Sequence, residues 1–264
     1  MSTGTERRNG TMKIIQGMVM VAALAGVVAL QAQAPAAAEA TPTADEIVAK
    51  HIEAIGGKAA ISQVKSITME SSTSVMGNEA PTVTTLVDGV GFKNETDFNG
   101  SKIIQCYNDK GGWMVNPMTG AADPQPMPDD QYAQGKGQIY VGGPLYDYAA
   151  KGSKIELMGK EGNAYKIKLT SKENAETMFL IDGTSYMITT AMGKAKMQDQ
   201  DVDVTTKFSD YRKTDVGYMI PYAMDIDLGQ FQLSVAVKKV ELNKTIDPAE
   251  FEMPKAAEAP KPAM

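Results

Sequence analysis

The feature that most constrains this chain is an alternation of apolar and polar side chains, with a period of two residues, that starts near Ser66 and recurs toward the end of the sequence. In residues 231–237 the odd positions are Phe, Leu, Val and Val, and the even positions are Gln, Ser and Ala. Residues 165–170 and 202–208 alternate in the same way. Successive side chains of a strand point to opposite faces, so this pattern is typical of antiparallel strands with one dry and one wet face.

The last alternating segment contains an irregularity. Its apolar phase passes from odd to even positions at Lys238 and Lys239, because Val240 and Leu242 follow Val237. One extra residue in a strand would produce this shift, so the sequence predicts a β-bulge there.

Clusters of turn-forming residues separate the alternating segments at intervals that are typical of an all-β sheet or barrel, and they predict roughly eleven strands. Residues 118–151 are the exception, since they are rich in Pro, Asp and Gly. Within them, residues 129–134 and 145–150 are predicted to form short helices. A long interruption of this kind in a β protein is often a lid or a binding loop.

Residues 100–117 contain the only tryptophan, Trp113, and the only cysteine, Cys106. Between the two lies the segment 108–112 (NDKGG), whose Asn, Asp and Gly residues favour a hairpin loop. The segment is therefore predicted to be two adjacent antiparallel strands that form an apolar wall.

A helix is predicted to precede the strands. Thr43 and Glu46 have the spacing of a capping box, and Ile47, Ile52 and Ile55 lie on one apolar stripe. Two glycines at 56 and 57 would end the helix.

The N-terminus has the pattern of an export signal. Arg7, Arg8 and Lys13 precede the uncharged apolar run 14–30, and small residues dominate positions 32–40. We expect residues 1–38 to be a cleavable signal peptide and the protein to be periplasmic. An uncleaved inner-membrane anchor is the alternative, because the apolar run is close to the minimum length of a spanning helix. Residues 255–264, rich in Ala and Pro, are expected to be a disordered tail.

No catalytic residue, metal site or cofactor is predicted. Nucleophilic catalysis commonly needs a positioned histidine, and the only one, His51, lies near the apolar stripe of the helix. A single histidine also makes a metal site improbable, so we expect His51 to be packed in the core. Cys106 in an apolar strand should be protonated and unreactive. The net charge of −6, without a basic stripe interleaved with aromatic residues, argues against nucleic-acid binding.

Several short motifs, taken in order, resemble the outer-membrane lipoprotein-sorting proteins, relatives of the periplasmic carrier LolA. They extend over about residues 43–254, and the 39–254 region is predicted to be one domain. The matching segments are 51–57 (HIEAIGG), 103–105 (IIQ), 112–117 (GWMVNP), 143–148 (GPLYDY), 155–160 (IELMGK), 208–212 (FSDYR), 217–221 (GYMIP), 239–243 (KVELN) and 251–254 (FEMP).

The resemblance implies a mainly β (α+β) fold, in which a strongly curved antiparallel sheet forms an unclosed half-barrel and short helices plug its mouth. In LolA-like carriers the concave face binds acyl chains, and a lid helix moves aside to admit them. Such carriers tend to latch the lid with an arginine after a proline near the second or third strand. The corresponding stretch here offers only Lys93, which lacks the bidentate fork, so a latch at this place would differ or be absent.

The drier strand faces supply the candidate lining of such a cavity. The predicted lipid-binding residues are Trp113, Val115, Tyr165, Ile167, Leu169, Phe208, Leu233 and Val235, with Ile47, Ile52 and Ile55 as the helix plug. Either face of a curved sheet can be the dry one, and a register change of one residue would invert the choice.

Two functions follow from this interpretation. The first is a non-enzymatic periplasmic carrier or chaperone that binds the acyl chain of a lipid or lipoprotein, as in outer-membrane sorting. Such a carrier would be a monomer that meets inner- or outer-membrane proteins transiently. The second is a cargo-free protein-interaction or sensor module of the same fold. The size of the cavity distinguishes them, because a carrier needs a continuous cleft of several hundred Å³.

Overall fold

The computed structural model describes residues 41–197 and 200–254. The predicted signal peptide and C-terminal tail lie outside this range and stay predictions. The helices are α1 (Ala44–Ala54), α2 (Gly57–Gln63) and α3 (Asp129–Gly135), with 3₁₀ helices at Pro117–Thr119, Lys136–Ile139 and Pro248–Phe251. The strands are β1 (Ser66–Val75), β2 (Asn78–Val87), β3 (Gly91–Phe98), β4 (Ser101–Asn108), β5 (Gly112–Asn116), β6 (Ala121–Pro126), β7 (Lys154–Glu161), β8 (Ala164–Thr170), β9 (Glu176–Asp182), β10 (Ile188–Met197), β11 (Gln200–Lys213), β12 (Met219–Asp227) and β13 (Gln232–Leu242).

Helix α1 begins at the predicted capping box. The Glu46 N–H donates to the Thr43 hydroxyl at 3.2 Å, and the Thr43 N–H donates to the Glu46 carboxylate at 2.8 Å. Gly56 then adopts a φ of 119°, in the left-handed region, which allows α2 to follow directly. None of the helices in the described part of the chain is long and apolar enough to cross a membrane.

The strands form one antiparallel sheet in the order β6-β5-β4-β3-β2-β1-β13-β12-β11-β10-β9-β8-β7. It is unclosed, with β6 and β7 at its two edges. The described residues form thirteen strands, so the expectation of roughly eleven was too low. The additional strands include β6, which lies in the segment expected to be a loop. Its Pro124 and Pro126 are tolerated because an edge strand leaves half of its backbone groups unpaired.

Two local predictions are confirmed and one is wrong. Strands β4 and β5 form the predicted hairpin, in which Cys106 pairs with Trp113 and Ile104 with Val115. The bulge in β13 is present, because Glu70 of β1 pairs with Lys239 and the next residue pairs with Val237. The segment 145–150, predicted to be helical, consists of turns, and Asp147 within it has a φ of 47°. That left-handed conformation interrupts a right-handed helix.

The main core shows how the sheet is shaped. Ile47 and Ile52 of α1 and its C-cap residue Ile55 lie in one buried cluster with Ile67 of β1 and Ile167 of β8. A flat sheet would hold β1 and β8 about 29 Å apart, because six strand spacings separate them. A helix is only about 10–12 Å across, so the sheet must curl around it for both strands to reach the same cluster.

Candidate functional site

A cavity of about 500 Å³ lies against six neighbouring strands, β4, β3, β2, β1, β13 and β12. Its apolar lining residues are Met69, Val75, Phe92, Phe98, Ile103, Met118, Met224, Ile226, Leu233, Val235 and Val237. Its polar lining residues are Ser71, Thr73, Thr82, Thr84, Asn94, Thr96, Gln105 and Gln138. No described residue that lines it carries a charge.

The strand alternation explains why these side chains meet. The cavity takes odd-numbered residues from β1, β4 and β13 and even-numbered residues from β2, β3 and β12. The register brings them side by side, as in the row that joins Val237, Ser71, Thr82, Thr96 and Ile103. Because opposed residues in a sheet share a face, the cavity is bounded by a single face of the curled sheet.

The main core occupies the same face. Ile67 of β1, Leu86 of β2 and Ile220 of β12 belong to the cluster around α1, and they have the same parity as the cavity residues on those strands. The helices therefore fill this face near Ser66 and Val87, and the cavity extends toward Val75 and the far ends of the strands.

Five of the polar lining residues form a hydrogen-bonded block on β1, β2 and β3: Thr73, Thr82, Thr84, Asn94 and Thr96. The hydroxyl of Thr82 lies 2.8 Å from that of Thr73 and 2.9 Å from that of Thr96. The Asn94 side-chain amide donates to the Thr84 hydroxyl at 2.9 Å. Thr73, Thr82 and Thr84 are buried, so this block is part of the wall and not a solvated rim.

Residues of the long segment 118–151 reach the cavity at Met118 and Gln138. The segment is fixed to the β2–β3 turn, because the Val141 N–H donates to the Asp88 carboxylate at 2.9 Å and the Gly89 N–H donates to the Ile139 carbonyl at 2.8 Å. Lys93 plays no part in these contacts. Its ammonium lies 3.1 Å from the Glu95 carboxylate on its own strand.

A lysine also holds the later part of this segment. The Lys151 ammonium donates to the carbonyls of Gly143 at 3.1 Å and Tyr146 at 2.5 Å, and it lies 4.2 Å from the centre of the Tyr140 ring. Burial lowers the pKa of Lys151 to about 8. The carboxylates of Asp147 and Asp88 favour the charged form and oppose that shift.

The sequence-predicted lining residues fall into three groups. Leu233 and Val235 line the cavity, and Phe208 pairs with the lining residue Met224 on the neighbouring strand. Tyr165, Ile167 and Leu169 lie in the main core together with the predicted helix plug, Ile47, Ile52 and Ile55. Trp113 and Val115 lie in a separate cluster. Whether any of them binds lipid stays a prediction.

That separate cluster is on the other face of the sheet. Trp113 and Val115 pair with Cys106 and Ile104, whereas the cavity takes Ile103 and Gln105 from the same strand. The cluster is covered by Phe251, whose carbonyl accepts from the Trp113 indole N–H at 3.0 Å. Burial raises the pKa of the Cys106 thiol to about 12, as expected for an unreactive cysteine.

His51 is a buried residue of helix α1 and has a structural role. It is 3% exposed, and its Nδ1 lies 2.9 Å from the Tyr186 carbonyl oxygen. Burial lowers its pKa, although this hydrogen bond opposes the shift. No cluster of metal-ligating side chains occurs within the described ranges.

The polar block was not predicted from the sequence. A signal for it exists, because Ser71, Thr73, Thr82 and Thr84 occupy the inward phase of β1 and β2, where an ordinary core strand would have Val or Ile. Threonine is itself a good strand former, which hides this signal among residues that favour β structure anyway.

Comparison with known proteins supports the fold. No protein-family model and no curated protein matches the sequence. Among solved structures, a LolA superfamily protein from Nitrosomonas europaea is 12% identical, with a TM-score of 0.54 over 80% of this chain and 98% of the other. A DUF1329 family protein from Desulfovibrio piger gives the same identity, TM-score and coverage. The chain thus has a LolA-like fold, and the resemblance seen in its motifs is confirmed at that level.

Proposed function

We propose that this protein is a non-enzymatic periplasmic carrier or chaperone that binds the acyl chain of a lipid or lipoprotein in the cavity. The observation that carries the proposal is the cavity of about 500 Å³, which has apolar walls on both flanks and no charged lining residue among those described. This volume lies within the range of small-molecule sites, which bury most of a ligand's surface. A cargo-free module would instead have this space filled by side chains.

The chemistry of the lining supports binding without catalysis. Transfer of an acyl chain out of water stabilises the complex by about 0.8 kcal/mol per buried CH₂, so a carrier needs apolar area and not reactive groups. Met69, Met118 and Met224 contribute flexible, polarizable side chains that adapt to chains of different shape.

The concave face is divided between the helix plug and the cavity, and this division also supports a carrier function. In the half-barrel arrangement that the resemblance implies, Ile47, Ile52 and Ile55 plug one end, and the cavity takes the other end of the same face. The predicted signal peptide would deliver the chain to the periplasm. Outer-membrane sorting is the process that the LolA-like resemblance suggests.

The first experiment is organic extraction of the purified mature protein followed by mass spectrometry, with titration of a fluorescent, uncharged acyl ester. We expect a co-purified amphiphile and saturable uptake of the probe. If no amphiphile is extracted reproducibly and no probe is taken up, the carrier function is wrong.

A pair of variants on one strand locates the binding. Val235→Trp places a bulky ring in the cavity and should weaken probe uptake, because Val235 lines it. Ala236→Trp is the matched control, since Ala236 is the next residue, exposed and on the opposite face. Equal uptake by the two variants would place the probe elsewhere and contradict the proposal.

A further inference from the structure

The polar block occupies a defined place in the cavity wall. Thr84 and Asn94 are paired across β2 and β3, and the same row continues to Met69 on one side and Gln105 on the other. Strands β12 and β13 contribute only apolar residues to the lining. The wall is thus wholly apolar on β12 and β13, whereas on β1 to β4 uncharged hydrogen-bonding groups alternate with apolar residues such as Phe92, Phe98 and Ile103.

Some of those groups have unused donors. Asn94 donates one amide proton to the Thr84 hydroxyl, and its carbonyl oxygen lies 3.5 Å from the Thr96 hydroxyl. An asparagine amide has a second proton, and a threonine hydroxyl has one of its own. Within the described residues, neither of these two protons has an acceptor. Thr84 is 6% exposed and lines the cavity, so a ligand held there can reach its hydroxyl.

The lining also disfavours charged groups. A carboxylate or phosphate drawn into this part of the cavity would lose its hydration without meeting a cation, which is strongly unfavourable. A neutral carbonyl oxygen can accept from both unused donors and costs far less to desolvate. Acyl esters and acyl amides are the lipid linkages that place such an oxygen directly at the end of an apolar chain.

We infer that the cargo is a neutral acyl ester or amide whose carbonyl oxygen accepts hydrogen bonds from Thr84 and Asn94. Its hydrocarbon chain lies against the apolar lining residues of the cavity, and any charged head group stays outside the cavity. This inference rests on the proposed carrier function and narrows the class of its cargo.

Three ligands with matched chains test it: monolauroylglycerol, lauroylethanolamide and the dodecyl ether of glycerol, which lacks the carbonyl. Each is titrated by calorimetry into the wild-type protein and into the Thr84→Val, Thr84→Ser and Thr85→Val variants. Valine keeps the shape of threonine without its hydroxyl, and serine keeps the hydroxyl. Thr85 is the adjacent residue on the opposite face and serves as the control.

We expect the wild-type protein to bind the ester or the amide more tightly than the ether. Thr84→Val should weaken binding of the carbonyl ligand about fivefold to tenfold and leave the ether unchanged. Thr84→Ser and Thr85→Val should bind like the wild type. The relative affinities of ester and amide then distinguish a glycerolipid from an N-acylated source.

Two results would overturn the inference while leaving the carrier function intact. One is equal affinity of the wild-type protein for all three ligands. The other is a uniform loss for all three in Thr84→Val, which would indicate a structural effect. If the wild-type protein bound none of them, and no amphiphile co-purified, the carrier function itself would fail.

Discussion

At the scale of single residues, Trp113 provides a direct test of which face of the sheet bounds the ligand-binding cavity. It is the only tryptophan, so its emission reports one site. It is 4% exposed in the cluster under Phe251, on the face opposite the cavity. We therefore predict that saturating the cavity with a neutral acyl ester leaves the Trp113 emission maximum unchanged. A clear shift would mean that the ligand reaches the Phe251 cluster.

Phe251→Ala is the complementary change. The Phe251 ring is packed against Gly91 so closely that a Cβ there would lie 2.3 Å from it. Truncating a buried phenylalanine typically costs about 3–5 kcal/mol of unfolding free energy, which denaturant titration can measure. The Trp113 emission should shift to longer wavelength because water then reaches the indole. Amphiphile binding should persist in the folded fraction, since the cavity is on the other face.

His51 gives the protein a specific pH dependence. A carbonyl oxygen only accepts, so the contact with Tyr186 requires Nδ1 to carry a proton, and burial disfavours the charged form of the ring. The folded-state pKa is below the unfolded value of about 6.5, so the unfolded chain takes up a proton first as the pH falls. The stabilisation is present in full above about pH 6.5 and is lost at lower pH.

The His51→Asn variant isolates this effect, because asparagine keeps a donor near Nδ1 and does not titrate. The difference in unfolding free energy between the wild type and this variant should shrink as the pH falls from about 7.5 to about 5. A difference that stayed constant over that range would show that His51 is not kept neutral by burial.

The sequence could predict the character of these residues but not always their location. A lone histidine on an apolar helix stripe and a lone cysteine in an apolar strand both have the buried positions that were expected. The face occupied by Trp113 was not determined, because alternation within a hairpin shows which residues share a face and not what covers it. That cover is the 3₁₀ helix Pro248–Phe251, far away in the chain.

At the scale of elements, the bulge in β13 keeps the apolar side chains of both halves of the strand on the dry face of the sheet. Val235 and Val237 line the cavity, and Val240 and Leu242 pack against the main core. These two pairs share one face of the sheet only because Lys238 is an extra residue between Val237 and Lys239. Deleting Lys238 should turn one half of the strand over and destabilise the protein by about 2–4 kcal/mol, as measured by denaturant titration.

Lys238→Ala is the control for this deletion, because it keeps the extra residue and removes only its side chain. It should change stability by less than about 0.5 kcal/mol, which is usual for a surface substitution. If the deletion were equally harmless, the bulge would not be what sets the register of β13.

The same strand shows what element prediction could achieve. The phase change at Lys238 and Lys239 was visible in the sequence because the bulge inverts a simple pattern. Strand β6 was not visible, because its prolines disfavour a strand unless it lies at an edge, and the position of an edge is a property of the whole sheet.

At the scale of the whole molecule, one face of the sheet forms both a packed core and a cavity. Around α1 it forms a filled core that stabilises the fold, and beyond the helices it bounds a cavity that offers apolar area and a block of uncharged donors. The sequence indicated that such a face exists. It could not assign Leu233 and Val235 to the cavity and Tyr165 and Ile167 to the core, because that division depends on where the helices lie on the sheet.

The most direct test of this account is fluorescence quenching by a monoacylglycerol with a brominated acyl chain, because bromine quenches tryptophan only at short range. The chain carrying Trp113→Phe and Phe98→Trp places the single indole in the cavity wall, and the native chain places it at Trp113 on the other face. We predict strong, saturable quenching in the double variant and much weaker quenching in the native protein. Equal quenching in both, or none in the double variant, would contradict the claim that this cavity holds an acyl chain.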